Sequence, residues 1–148
     1  PILESRFVFT NQFKCLQAVY TKKALLPVDE RLKIRVLNEA HTELVLENYH
    51  TMDDPGYIKE RIAAGQLYGG FVNDELAGFV GIHPEGSIGM LEVLPEYRRQ
   101  GFGAALESYI ANMMIKKNWI PFCQIFDNNQ NSIQLQKKLG FRVSDQYT

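Results

Sequence analysis

Apolar and polar positions change period several times along the chain, and each change marks an element. Leu32, Ile34 and Val36 alternate with Lys33 and Arg35, the pattern of a half-buried strand. Residues 39–49 put Leu44, Val45 and Tyr49 on one helical face. Asp54 then offers an N-cap before Pro55, with Ile58 and Ile62 inward until Gly65 stops the helix. Three strand-like runs follow, at 66–72, 75–83 and 87–94, the first two joined by the short turn Asn73-Asp74. Beyond Gln100 the period becomes helical: Phe102, Leu106, Tyr109, Ile110, Met113 and Met114 repeat at three and four, with Lys116-Lys117 in the last turn, where they suit the helix dipole. Residues 119–126 read as a buried central strand. A short helix at 129–139 is capped by Asn129 and ended by Gly140, and 141–147 form a last strand. Ahead of all this, residues 5–23 suggest an irregular hairpin with strands at 6–10 and 13–21, and 22–31 a linker. The expected division is therefore 1–31, an N-terminal hairpin and linker or the remnant of a second domain, and 32–148, one domain. Its order β, α, α, β, β, β, α, β, α, β predicts an α/β fold with a mixed, largely antiparallel sheet and helices on both faces.

Composition narrows the function. At 148 residues, 45% apolar and 22% charged, the chain can bury a full core without disulfides or metal. A net charge of −1 gives none of the basic excess of a non-specific nucleic-acid or membrane-surface binder, so neither partner is expected. Cys15 and Cys123 are far apart, and His41, His50 and His83 form no ligand pair, so no metal site is expected and a cytoplasmic location is. The charge-free stretch 118–126 is too short to span a bilayer. The chain opens on Pro1 without a signal-peptide pattern, which leaves a removed initiator Met or a piece of a longer chain.

The segment most suggestive of chemistry is Leu94-Pro95-Glu96-Tyr97-Arg98-Arg99-Gln100-Gly101-Phe102-Gly103-Ala104. It leaves a strand and opens a helix, so its backbone N–H groups converge where the helix dipole favours an anion, and glycine lets phosphate oxygens approach. The expectation is a diphosphate site. No GxxxxGK[ST] is present, and the dinucleotide GxGxxG pattern fails at its third position, Leu106. Glycines that merely shape a helix start are the plain alternative.

Arg98-x-x-Gly101-x-Gly103 resembles the [RQ]xxGx[GA] motif of GNAT-superfamily N-acetyltransferases. Asn129-x-x-Ser132-x-x-Leu135 and Leu139-Gly140-Phe141 resemble that superfamily's second motif. Within it, Leu94-Pro95-Glu96-Tyr97-Arg98, Pro121-Phe122-Cys123-Gln124 and Gln136-Lys137-Lys138-Leu139-Gly140-Phe141 look most like the glycine N-acyltransferase-like (FR47-like) branch. The resemblance implies the GNAT fold and acetyl-CoA or another acyl-CoA as co-substrate. The backbone of Leu91, Glu92 and Val93 would pair with the pantetheine arm. The amides of Arg99, Gln100, Gly101, Phe102, Gly103 and Ala104 would hold the pyrophosphate, with Arg98 anchoring the turn and Asn129 nearby.

The departures bear on catalysis. Gln136 stands where many relatives carry an acid tyrosine, Ser87 and Gly89 where some carry a base, and Gln124 where others carry a glutamate. Glu92 is nominated as general base, with Glu85 and His83 as alternatives and Cys123 as an acyl-carrying nucleophile. The resemblance thus implies an N-acyltransferase moving the acyl group to a small-molecule primary amine by direct attack; the alternative is a catalytically silent CoA-binding or acyl-CoA-sensing module. Relatives have a further strand after the last one here, so the acceptor-side wall is incomplete, or supplied by the N-terminal hairpin or by a second chain in a homodimer.

Overall fold

A computed structural model describes residues 15–49, 54–126 and 128–144, and these form seven strands and four α-helices. In chain order they are β1 (Cys15–Val19), β2 (Lys33–Val36), α1 (Thr42–Asn48), α2 (Pro55–Ala63), β3 (Leu67–Val72), β4 (Glu75–Ile82), β5 (Ile88–Val93), α3 (Phe102–Lys116), β6 (Phe122–Phe126), α4 (Gln130–Leu139) and β7 (Arg142–Val143). From β2 onward this is the order the hydrophobic pattern predicts. The expected strand at 6–10 lies outside the described residues.

The strands divide into two sheets, β2-β3-β4-β5 and β6-β1-β7, and the described ladders are antiparallel. β4 supplies both cores. Leu76 and Phe79 pack with Val45, Tyr49, Ile58 and Ile62 from the α1–α2 side, while Ala77, Val80 and Ile82 pack with Leu106, Ile110 and Ile125. Alternate residues of β4 face opposite sides, and a register shift opposite Gly70 and Phe71 leaves Ala77 extra, which puts Leu76 and Phe79, three apart, on one face.

The expected mixed sheet is split because β5 bends away. Gly81 pairs with Gly89 and Phe79 with Glu92, so Met90 and Leu91 together oppose Val80. Met90 holds φ +54, a left-handed conformation unusual for a side chain of its size. Such a bulge twists the strand and re-aims its residues. β5 and β6 remain neighbours, but they share no ladder among the described residues.

β6 begins later than its apolar run suggests. Pro121 lacks an N–H, its carbonyl accepts from the Tyr20 amide at 2.9 Å, and Trp119 and Ile120 before it are exposed. β1, from the segment 1–31, fills the middle of its sheet. It pairs Cys15–Val19 against Phe126–Phe122 of β6, and Ala18 and Val19 against Val143 and Arg142 of β7. The stretch read as a linker is tied to α3: the buried Asn112 accepts from the Leu26 amide at 2.8 Å and donates to its carbonyl at 3.0 Å.

Candidate functional site

The glycine loop leaves β5 through a 3₁₀ turn at Pro95–Tyr97 and enters α3 at Gly101. Arg99 and Gly101 both have positive φ, +66 and +83, which curls the loop over the helix end. Arg98 fixes the curl: its Nε donates to the Val93 carbonyl at 3.0 Å, and its guanidinium lies 3.5 Å from the Glu92 carboxylate. Arg31, from the expected linker, donates to the Gln100 carbonyl at 2.7 Å and lies over the Phe102 ring at 4.8 Å. With both ends held, the first N–H groups of α3 at Phe102, Gly103 and Ala104 have no intrahelical acceptor and point out of the helix end. Gly103 has no conformational need to be glycine. Its φ is not positive, and a Cβ there would meet Val93 Cγ2 at an ordinary 3.8 Å. The space over Gly103 therefore suits an anion approaching the amides, a role the packing of the chain does not use.

Where β5 and β6 part lies a cavity of about 380 Å³. Its walls come from the turn after β4 (His83, Glu85, Ser87), from β5 through Leu91, from Glu107 of α3, from Cys123 and Gln124 of β6, and from Asn129, Ser132 and Gln136 of α4. Asn129 caps α4 by accepting from the Ser132 amide at 3.1 Å, and the same residue lines this cavity. A second cavity, about 740 Å³, lies between 26–31 and the start of α3, with Arg31 and Lys138 on its walls.

The titratable groups of the first cavity are pushed in different directions. Burial holds the His83 imidazole below its ordinary value, with Glu85 opposing, so the ring is neutral at pH 7. Its Nδ1 is hydrogen-bonded to the Tyr57 hydroxyl, and the two rings stack with centroids 5.7 Å apart. The ring lies over Gly89, where any Cβ would collide with Nε2 and Cδ2 of His83. Ser87 donates to Glu85 at 2.7 Å and keeps that carboxyl below its ordinary value. Burial raises the Cys123 thiol, leaving it protonated and a poor nucleophile. Burial also pushes Glu107 up to about 7, opposed by the hydrogen bond from Gln136.

The sequence-nominated residues therefore separate. Leu91 and Asn129 meet in the first cavity. Arg98 and 99–104 form the loop beside it, and Val93 lies between them, its carbonyl taken by Arg98. Glu92, nominated as base, turns its carboxylate to Arg98 and is absent from the cavity lining, whereas the alternatives His83 and Glu85 line it. Glu107 went unnoticed in the sequence, although a signal was there: it stands on the apolar stripe of α3, four residues after Gly103 and three before Ile110. Among the described residues no group of three or more His, Cys, Asp or Glu side chains could hold a metal, and no helix is long and apolar enough to cross a membrane.

A family model described as FR47-like protein matches residues 67–148. Solved structures share the fold. A Drosophila protein superposes with a TM-score of 0.76 at 19% identity, covering 89% of this chain and 48% of its own. A GNAT-family acetyltransferase from Colwellia psychrerythraea gives 0.70 at 13% identity, with 90% and 53% covered. Arabidopsis thaliana Naa50, in complex with the bisubstrate analogue CoA-Ac-MVNAL, gives 0.58 at 22% identity, with 78% and 85% covered. The chain thus spans about half the length of the first two. No curated protein matches it.

Proposed function

Since the chain belongs to the FR47-like branch of the GNAT N-acetyltransferases, we propose that it transfers an acyl group from acetyl-CoA or another acyl-CoA to a small primary amine by direct attack. The observation that carries this reading is the His83 imidazole seated over Gly89 in the cavity where β5 and β6 part. The strand position that lacks a base side chain of its own is covered by a base from the preceding turn.

The loop amides at 99–104, held open by Arg98 and Arg31, suit the pyrophosphate of the acyl-CoA. At Leu91 and Glu92, β5 is the edge strand of its sheet among the described residues, a geometry that suits the pantetheine arm as an added strand. Lys138 brings positive charge to the second cavity beside the loop, where Arg31 is paired with Asp29 at 2.6 Å. In the reaction the amine nitrogen attacks the thioester carbonyl, the C–N bond forms, and the nitrogen's proton passes to neutral His83, directly or through one water. Tyr57 orients the ring through Nδ1, which directs the other nitrogen, Nε2, toward Gly89. Glu92 supports the loop through Arg98 and leaves the base role to His83.

A catalytically silent CoA-binding module is the second reading, favoured by Gly89, Gln124 and Gln136 at positions where relatives carry titrating side chains. One experiment separates the two: thiol release from acetyl-CoA across a panel of small primary amines, with wild type and His83→Gln. Transfer predicts amine-dependent release that falls ~10²–10⁴-fold in the variant at unchanged CoA affinity. CoA binding without release from any amine would favour the silent module.

A further inference from the structure

Glu107 and Gln136 form the one pair of adjoining buried polar side chains in the described part of the cavity wall. Gln136 Nε2 donates to Glu107 Oε1 at 2.7 Å, and both residues are at least 98% buried. The remaining oxygens, Glu107 Oε2 and Gln136 Oε1, have no hydrogen-bond partner among the described residues. Among the described residues no cation pairs with the carboxyl. Lining the same cavity are the Cys123 thiol of β6, which feels the Glu107 charge, Cys15 of β1, Tyr49 after α1, and His83 and Glu85 in the turn after β4. Of these only His83 can become positive, and burial keeps it neutral. A structural ion pair therefore does not account for Glu107, and a leucine–methionine pair would fill the same space without the cost of an unpaired polar oxygen. What a buried, uncompensated carboxyl does well is hold a proton, which turns Oε2 from an orphaned acceptor into a donor in the cavity wall.

We propose that Glu107, oriented by Gln136, is the acid that protonates the departing sulfur of acyl-CoA. The proposal rests on the acyltransfer reading above and supplies its second proton transfer. As the tetrahedral intermediate collapses, the C–S bond breaks, its electron pair goes to sulfur, and the Oε2 proton moves to that sulfur to give CoA thiol. Glu107 is left as carboxylate and His83 as imidazolium. A proton passes between them through solvent to restore both, so the cycle neither consumes nor releases protons beyond those exchanged between amine and thiol. The direction suits the groups: a carboxyl near neutrality is a stronger acid than a thiol of ordinary pKa about 8.5 and still holds its proton below pH 7. Gln136 contributes by positioning, since an amide gives up no proton.

The test uses the full chain, acetyl-CoA and the best amine of the panel. In wild type kcat falls as pH rises through about 7, where Glu107 loses its proton. Glu107→Gln keeps size and a hydrogen bond to Gln136; it should lower kcat ~10²–10⁴-fold, leave CoA affinity within about twofold, and erase the alkaline limb. Gln136→Leu removes the bond that both orients the carboxyl and favours its ionised form, so it should lower kcat at pH 6 and move that limb to higher pH. A carboxyl ¹³C resonance titrating near 7, absent in Glu107→Gln and perturbed by CoA, reports the same group without turnover. Wild-type rates and an unchanged limb in Glu107→Gln would overturn the proposal while leaving acyl transfer standing. Failure of wild type to bind acyl-CoA would overturn both.

Discussion

Replacing Glu107 by glutamine should stabilise the protein at neutral and alkaline pH and do so progressively less as the pH falls. The carboxyl is almost wholly buried in α3 and its pKa rises from the ordinary 4.5 to about 7 on folding. The folded state thus binds this proton more tightly than the unfolded chain. The group's stability is fully present below pH 4.5, falls as the carboxylate must be ionised in a low-dielectric wall, and is gone above about pH 7. At 1.36 kcal/mol per pH unit the loss is ~3 kcal/mol, a large part of the 5–15 kcal/mol of a typical domain. Glutamine has nothing to ionise and keeps a donor and an acceptor toward Gln136. Urea unfolding of both proteins from pH 5 to 8.5 provides the comparison. The stability difference, variant minus wild type, should climb by ~3 kcal/mol over that rise and flatten above pH 7. Taking the difference cancels His83, whose lowered pKa acts in the opposite sense in both proteins. A difference that stays flat across the range would mean that Glu107 is hydrated or paired in solution, and the burial argument would fail.

Three substitutions probe the rest of the site. Gly103→Glu should fold with near-native stability, because a Cβ there meets only Val93 Cγ2 at 3.8 Å, yet calorimetry should detect no CoA binding once a carboxylate stands over the loop amides. Gly89→Ala should push the His83 ring from its seat and cut kcat by at least ~10²-fold with CoA affinity retained; a wild-type rate would remove His83 from the reaction. Glu92→Gln should stay within severalfold of wild type in kcat, since that carboxylate faces Arg98, and a ~10²–10⁴-fold drop would return the base role to Glu92.

Local periodicity carried the sequence reading where one element's own residues decide the outcome. The strand expected around Ile34 and the helix opened by Asp54-Pro55 emerge as β2 and α2, although Val36 is exposed, and the Asp54 side chain accepts from the Tyr57 amide at 3.2 Å. The loop before α3 was legible for the same reason, because its glycines and the helix behind it are contiguous. What escaped depends on partners distant in sequence. β1 takes its place from β6, more than a hundred residues away, and the run before β6 reads as strand only until Pro121 and the exposed Trp119 are seen in place. The cavity exists because Met90 and Leu91 bulge against Val80, a register feature that an apolar run cannot reveal. His83 and Gly89 meet across a turn, so the sequence alone does not show that the His83 ring fills the space over Gly89.

The central claim, that the loop before α3 receives the pyrophosphate of an acyl-CoA, is tested most directly by calorimetric titration of CoA into wild type and Gly103→Glu. The account predicts saturable one-to-one binding to wild type that the variant lacks, together with a wild-type gain of ~2.7 kcal/mol in stability at a hundred times the dissociation constant. Heat changes and unfolding curves that CoA leaves unmoved in the wild type, or affinity for CoA unchanged in Gly103→Glu, would contradict it.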